Sequence, residues 1–184
     1  MALRSLQYRQ IEDQIGAILS ESGINKAPIP IESIAKSLGA FVIAYELGDE
    51  VSGVLVINEN KGTIGYNILH PKVRQRFTIA HELGHYIMHV PKSKGKQLFV
   101  DKDFIVKFRS QKSYTAHEIR QEQEANAFAA AILMPKDILL QEMKSEKYYN
   151  LTENKLIEEL AIAFNVSIQA MTYRFADLNI FFYS

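Results

Sequence analysis

Arg76-Phe77-Thr78-Ile79-Ala80-His81-Glu82-Leu83-Gly84-His85-Tyr86-Ile87-Met88-His89 carries the pattern His-Glu-x-x-His at residues 81–85. On an α-helix, residues four apart share a face, so His81 and His85 can direct ring nitrogens at one metal ion. Glu82 is turned about 100° from His81, beside such an ion rather than on it. That position suits a base for an activated water, and zinc hydrolases use this pattern. The stretch therefore predicts a central helix with one face given to chemistry and another to packing. With His81 at 0° on a helical wheel, His85 falls near 40°, while Ala80, Leu83, Gly84 and Ile87 gather at about 200–300°. Gly84 costs such a helix about 1 kcal/mol relative to alanine, which a close approach by a sheet or second helix would explain. Pro71 suits the start and Pro91 the stop, so the helix is expected over residues 72–90.

Upstream, three β-like runs occupy residues 40–46, 53–57 and 63–67, the last two joined by a hairpin at Asn58-Glu59-Asn60-Lys61-Gly62. Two helices precede them. Leu6, Ile11, Ile15, Ile18 and Leu19 mark the first, closed by Ser22-Gly23; Ile31, Ile34, Ala35 and Leu38 mark the second, ended by Gly39. The expected core is a small, mainly antiparallel three-stranded sheet packed on the metal-binding helix.

Downstream, residues 91–115 are rich in lysine (Lys92, Lys94, Lys96, Lys102, Lys107, Lys112) and read either as a solvated loop or as a basic flap beside the site. Helices follow at 116–133, 136–143, 152–164 and 168–177, the last capped by Ser167. The chain divides into residues 1–143, carrying the sheet and both site helices, and a helical segment 144–184. Leu160 to Met171 in that segment resembles a helix-turn-helix pair.

A third metal ligand has to come from elsewhere. His89 lies about 9 Å along the axis from the midpoint of His81 and His85, too far to join them on an unbroken helix. A longer pattern that breaks the helix with glycine fails, because Met88 and Pro91 stand where the glycine and third histidine belong. His89 is expected to be structural or at the site rim. The carboxylate candidates are Glu122 and Glu124. With Glu122 at 0°, Ala125, Asn126, Ala129 and Leu133 fall within about 60°, whereas Glu124 lies near 200°. Helical phase favours Glu122, with Glu124 as second choice. Asn126, one turn later, can hydrogen-bond a ligand histidine from behind. Tyr66, Tyr86, Tyr114 and His117 are candidate donors to an oxyanion.

Composition narrows the chemistry. There is no cysteine, so only histidine and carboxylates remain as strong zinc ligands. Lys+Arg and Asp+Glu are both 21, a balance without the electrostatic footprint of a general nucleic-acid binder. The C-terminal segment has only Lys155 and Arg174 against Glu153, Glu158, Glu159 and Asp177, which is poor for phosphate contact. No apolar run is long enough for a membrane span or a secretory signal, so a soluble, cytoplasmic protein is expected.

Two blocks together carry a resemblance: residues 74–85 and Glu122-Gln123-Glu124-Ala125-Asn126-Ala127-Phe128-Ala129-Ala130-Ala131-Ile132-Leu133-Met134-Pro135. They resemble the ImmA/IrrE family of bacterial metallopeptidases. The resemblance implies a zincin-like α+β core, one Zn2+ per chain on His81, His85 and Glu122, and Glu82 as catalytic base. It also implies a protein substrate, a helix-turn-helix repressor whose cleavage derepresses mobile-element or stress-response genes. The competing expectation is a DNA-binding or protein-binding regulator with a non-catalytic zinc site.

Overall fold

The computed structural model describes residues 5–58, 61–90, 97–102 and 115–180, with side chains described for 6–58, 61–90 and 115–180. Helix α1 (Ser5–Glu21) buries Ile11, Ile15 and Leu19, four residues apart along one stripe. Leu6, expected in that stripe, is 65% exposed because it sits about 140° round the helix from Ile11. Helix α2 (Ile31–Ser37) buries Ile31, Ile34 and Ala35.

Strands β1 (Ala40–Tyr45), β2 (Val51–Asn58), β3 (Lys61–Asn67) and β4 (Gln97–Lys102) form one sheet in the order β1-β3-β2-β4. β2 is antiparallel to both β3 and β4, while β1 runs parallel to β3. The sheet thus has four strands, not the three expected. β4 arises from the lysine-rich stretch, where Leu98-Phe99-Val100 is an apolar run flanked by charge. Edge strands commonly carry lysine, which discourages pairing with other chains, so the charge pattern concealed a strand. The rest of that lysine-rich stretch, residues 91–96 and 103–114, lies outside the described residues, as do the hairpin residues 59–60, so the choice between loop and flap falls outside them too.

Helix α3 (Lys72–Met88) packs on β2 and β3 on one side and on α4 (Ala116–Leu133) on another. Its middle is therefore covered all round: Thr78 and every residue from Ile79 to His85 are buried. It stops at Met88 rather than at residue 90, and the His89 N–H donates to the His85 carbonyl at 2.9 Å. The entry is held by two amides. Asn67 Nδ2 donates to the carbonyls of Gly48 (2.6 Å) and Val51 (3.0 Å), and Gln75 Nε2 donates to those of Ile68 (2.8 Å) and His70 (2.7 Å).

Gly84 marks the crossing of α3 and α4. A β-carbon there would stand 3.2 Å from Cα of Ala125 and 3.2 Å from Cβ of Phe128, so only glycine admits the second helix so closely. α4 begins with a capping box in which Thr115 Oγ1 accepts from the Glu118 N–H and Glu118 accepts from the Thr115 N–H.

Helix α5 (Lys136–Glu142) and a 3-10 turn (Glu146–Tyr148) lead to α6 (Glu153–Phe164) and α7 (Ile168–Asp177). Asn165, at φ 53°, turns the chain between α6 and α7. Arg174 fixes α7 to the body of the protein. Its side chain is 1% exposed, donates to the Met134 carbonyl at 2.9 Å, and forks onto both Glu12 carboxylate oxygens at 2.6 and 3.0 Å. One hydrophobic cluster runs from Ile11 on α1 to Phe175 on α7. No helix among the described residues is long and apolar enough to cross a membrane.

Candidate metal centre

One turn of α3 separates His81 from His85, and their Nε2 atoms stand 3.1 Å apart. α4, admitted by Gly84, brings Glu122 over them, with one carboxylate oxygen 3.5 Å from each Nε2. One ligand atom from each of the three residues lies within 4.8 Å of the others. Atoms bound at about 2.0–2.1 Å to a tetrahedral centre are about 3.4 Å from one another, so this donor set fits a metal ion between them. Glu124, the second-choice ligand, is not in this group.

The imidazoles can accept a metal only if each presents an unprotonated Nε2, which places the proton on Nδ1. Both Nδ1 atoms have an acceptor waiting. His81 Nδ1 lies 3.0 Å from Asn126 Oδ1, the contact that helical phase anticipated. His85 Nδ1 lies 3.1 Å from His89 Nδ1, and His89 Nε2 lies 3.0 Å from Glu124 Oε2. The bonds are consistent in one direction: His85 Nδ1–H donates to His89 Nδ1, and His89 Nε2–H donates to Glu124. Arg120 Nε (2.8 Å) and Gln7 Nε2 (3.1 Å) donate to the other Glu124 oxygen. Burial pushes the His89 imidazole below its ordinary pKa, opposed by its hydrogen bond to Glu124. For Glu124 burial acts upward, but the bonds from Arg120 and His89 outweigh it and hold the carboxyl below its ordinary value. Sequence reasoning treated these two residues separately and missed the pair. His89 stands four residues beyond His85 and Glu124 two beyond Glu122, steps that carried no sequence signal for the pairing.

Glu82 is 1% exposed and faces the sheet side of the site. A β-carbon on Gly53 would stand 3.3 Å from Glu82 Oε1 and would collide with Thr78 Cγ2, so β2 presses its backbone directly over the carboxylate. Tyr66 pairs in register with Gly53, which puts it one strand away from Glu82. Tyr86 lies instead beneath β3: a β-carbon on Gly62 would come within 2.8 Å of its ring. His117 is exposed in the first turn of α4, about 140° round from Glu122. Tyr114 lies outside the described residues.

Phe77 stacks near His81, with ring centroids 6.4 Å apart, and Phe77 and Asn126 also line a cavity of about 730 Å3. Ala127, Ala130, Ala170 and Tyr173 continue its wall towards α7, so the cleft lies between α3, α4 and α7, beside the ligand residues rather than lined by them.

The family described as the IrrE N-terminal-like domain, peptidase M78, matches residues 35–176, a span containing all three ligand residues and Glu82. The chain belongs to the ImmA/IrrE family. Membership covers both site helices and α6–α7, but leaves α1 and its Gln7 contact outside the match. Among solved structures, a Mycobacterium tuberculosis transcriptional regulator has a similar fold, with a TM-score of 0.60 at 16% identity over 91% of this chain. The aligned part is 46% of that protein, so this chain spans less than half its length. No curated protein matches the sequence.

Proposed function

We propose that this ImmA/IrrE family member is a zinc-dependent endopeptidase with a zincin-like core, holding one Zn2+ on His81, His85 and Glu122. The observation that carries this reading is the convergence of three ligand atoms within 4.8 Å beside a buried Glu82. A purely structural zinc would need neither that carboxylate nor an open position.

Zinc bound there supplies a Lewis acid that brings the pKa of water towards about 7 and polarises a carbonyl. Glu82 takes the proton from the attacking water and delivers it to the departing amine. Its burial under Gly53 keeps bulk water from competing for that proton. Asn126 and His89 fix the ligand tautomers, and Tyr66, Tyr86, Tyr114 and His117 are the candidate donors to the oxyanion. An extended substrate can add to an edge of the sheet, with side chains entering the cleft beside Phe77.

The substrate proposed is a helix-turn-helix transcriptional repressor, cleaved in the cytoplasm to derepress mobile-element or stress-response genes. The alternative, a DNA-binding regulator, draws support from the transcriptional regulator of similar fold. Charge weighs against it: Arg174 is spent inside the protein, and Lys155 is paired with Glu158 (3.1 Å) and Glu159 (3.2 Å). The helix-turn-helix-like α6–α7 segment, residues 144–184 in the proposed division, thus reads as a protein-packing unit. Co-incubation with a candidate helix-turn-helix repressor should yield discrete fragments with wild type and none with Glu82→Gln. Equal cleavage by both would eliminate the mechanism.

A further inference from the structure

We infer that His89 and Glu124 act as one positioning unit for the metal ligand His85, so that the two histidine ligands are held by unlike devices. The inference rests on the metal reading above and concerns residues that the ligand set does not include.

On the His81 side the device is short and neutral, the Asn126 carbonyl oxygen at 3.0 Å. On the His85 side it is a chain, His85 Nδ1 to His89 Nδ1 at 3.1 Å and His89 Nε2 to Glu124 Oε2 at 3.0 Å. The side chains of His89 and Glu124 are 5% and 13% exposed, so little water can replace either. An imidazole is the one uncharged side chain that accepts at one ring nitrogen and donates at the other. His89 therefore transmits the direction of the Glu124 carboxylate to His85. It sets the His85 proton on Nδ1 and presents the Nε2 lone pair to the metal. Glu124 is in turn aimed by Arg120 at 2.8 Å and by Gln7 of α1 at 3.1 Å. A helix outside the site thus contributes the last link.

Three variants separate the links. His89→Ala removes the acceptor altogether. His89→Asn offers an amide oxygen near the place of Nδ1 but severs the connection to Glu124. Glu124→Gln keeps the shape and removes the charge. Zinc affinity is read by chelator competition, the cobalt-substituted protein gives a visible spectrum, and melting of the metal-free protein reports the fold. His89→Ala should weaken zinc by about 10- to 100-fold and shift the cobalt spectrum. His89→Asn and Glu124→Gln should each lose about tenfold, the lower end of that range, and the two together no more than either alone. Additive losses from His89→Asn and Glu124→Gln would overturn the unit. So would unchanged zinc affinity in all variants, or losses matched by a lower metal-free melting temperature with an unshifted cobalt spectrum. If wild type itself binds no zinc, the metal reading fails instead.

Discussion

The α3–α4 crossing and the α6–α7 end of the molecule both bury polar side chains, but to opposite ends. At the crossing, His81, Glu82 and His85 are all under 5% exposed, and the two histidines converge with Glu122 on one point. At the C-terminal end the buried polar group is Arg174, and its fork onto Glu12 and the Met134 carbonyl uses its donors for attachment. Burying polar groups is costly unless each is satisfied. Arg174 is satisfied by partners within the protein. The donor atoms of His81, His85 and Glu122 are instead grouped closely enough that a metal ion could sit among them. Buried polarity that converges on one point marks function, and buried polarity that closes on itself marks architecture.

The comparison can be tested from its strongest consequence downward. Glu82→Gln should lower peptidase activity by about 10²- to 10⁴-fold while zinc content and melting temperature stay near wild type, since the change removes proton transfer only. Measurable turnover at the wild-type rate would place the base elsewhere. At the other end, Glu12→Ala leaves Arg174 buried without its counter-charge and should cost about 3 kcal/mol, lowering the melting temperature by about 6–12 °C. Zinc affinity should not move, because Arg174 makes no contact with the centre.

Gly84→Ala joins the two halves of the comparison. The added methyl meets Ala125 and Phe128 at 3.2 Å, and the expected loss is about 1–3 kcal/mol in thermal or denaturant unfolding. Because α4 carries Glu122, this variant should also weaken zinc, unlike Glu12→Ala. The smallest effect belongs to Lys155→Ala on the exposed face of α6. It should leave melting temperature, zinc content and cleavage unchanged within error, and a marked loss of cleavage would make that face part of substrate recognition.

Much of this was legible in the chain. The apolar phase of α4 and the Met134-Pro135 stop gave its span of residues 116–133 directly, and its wheel singled out Glu122 and Asn126, which the structure sets beside His81. Gly84 in a helix interior pointed to a close crossing before the partner helix was known. What escaped detection depended on neighbours distant in sequence. β4 was hidden because its apolar run is three residues long among lysines, and its strand character comes from pairing with β2. Glu124 was assigned to the far side of α4, which is correct in phase, but that side meets His89 and α1 rather than solvent. A helical wheel gives direction and says nothing of what lies there. Leu6 shows the reverse error, an apolar residue counted into a stripe that its phase excludes.

The central claim is that His81, His85 and Glu122 hold one zinc ion. The direct measurement is zinc per chain, by elemental analysis after exhaustive dialysis, on wild type, Glu122→Ala and Glu124→Ala, with metal-free melting recorded for each. One zinc per chain in wild type, its loss in Glu122→Ala with the fold intact, and weakened but detectable binding in Glu124→Ala is the predicted result. A wild type without zinc, or a Glu122→Ala protein that retains it, would contradict the account.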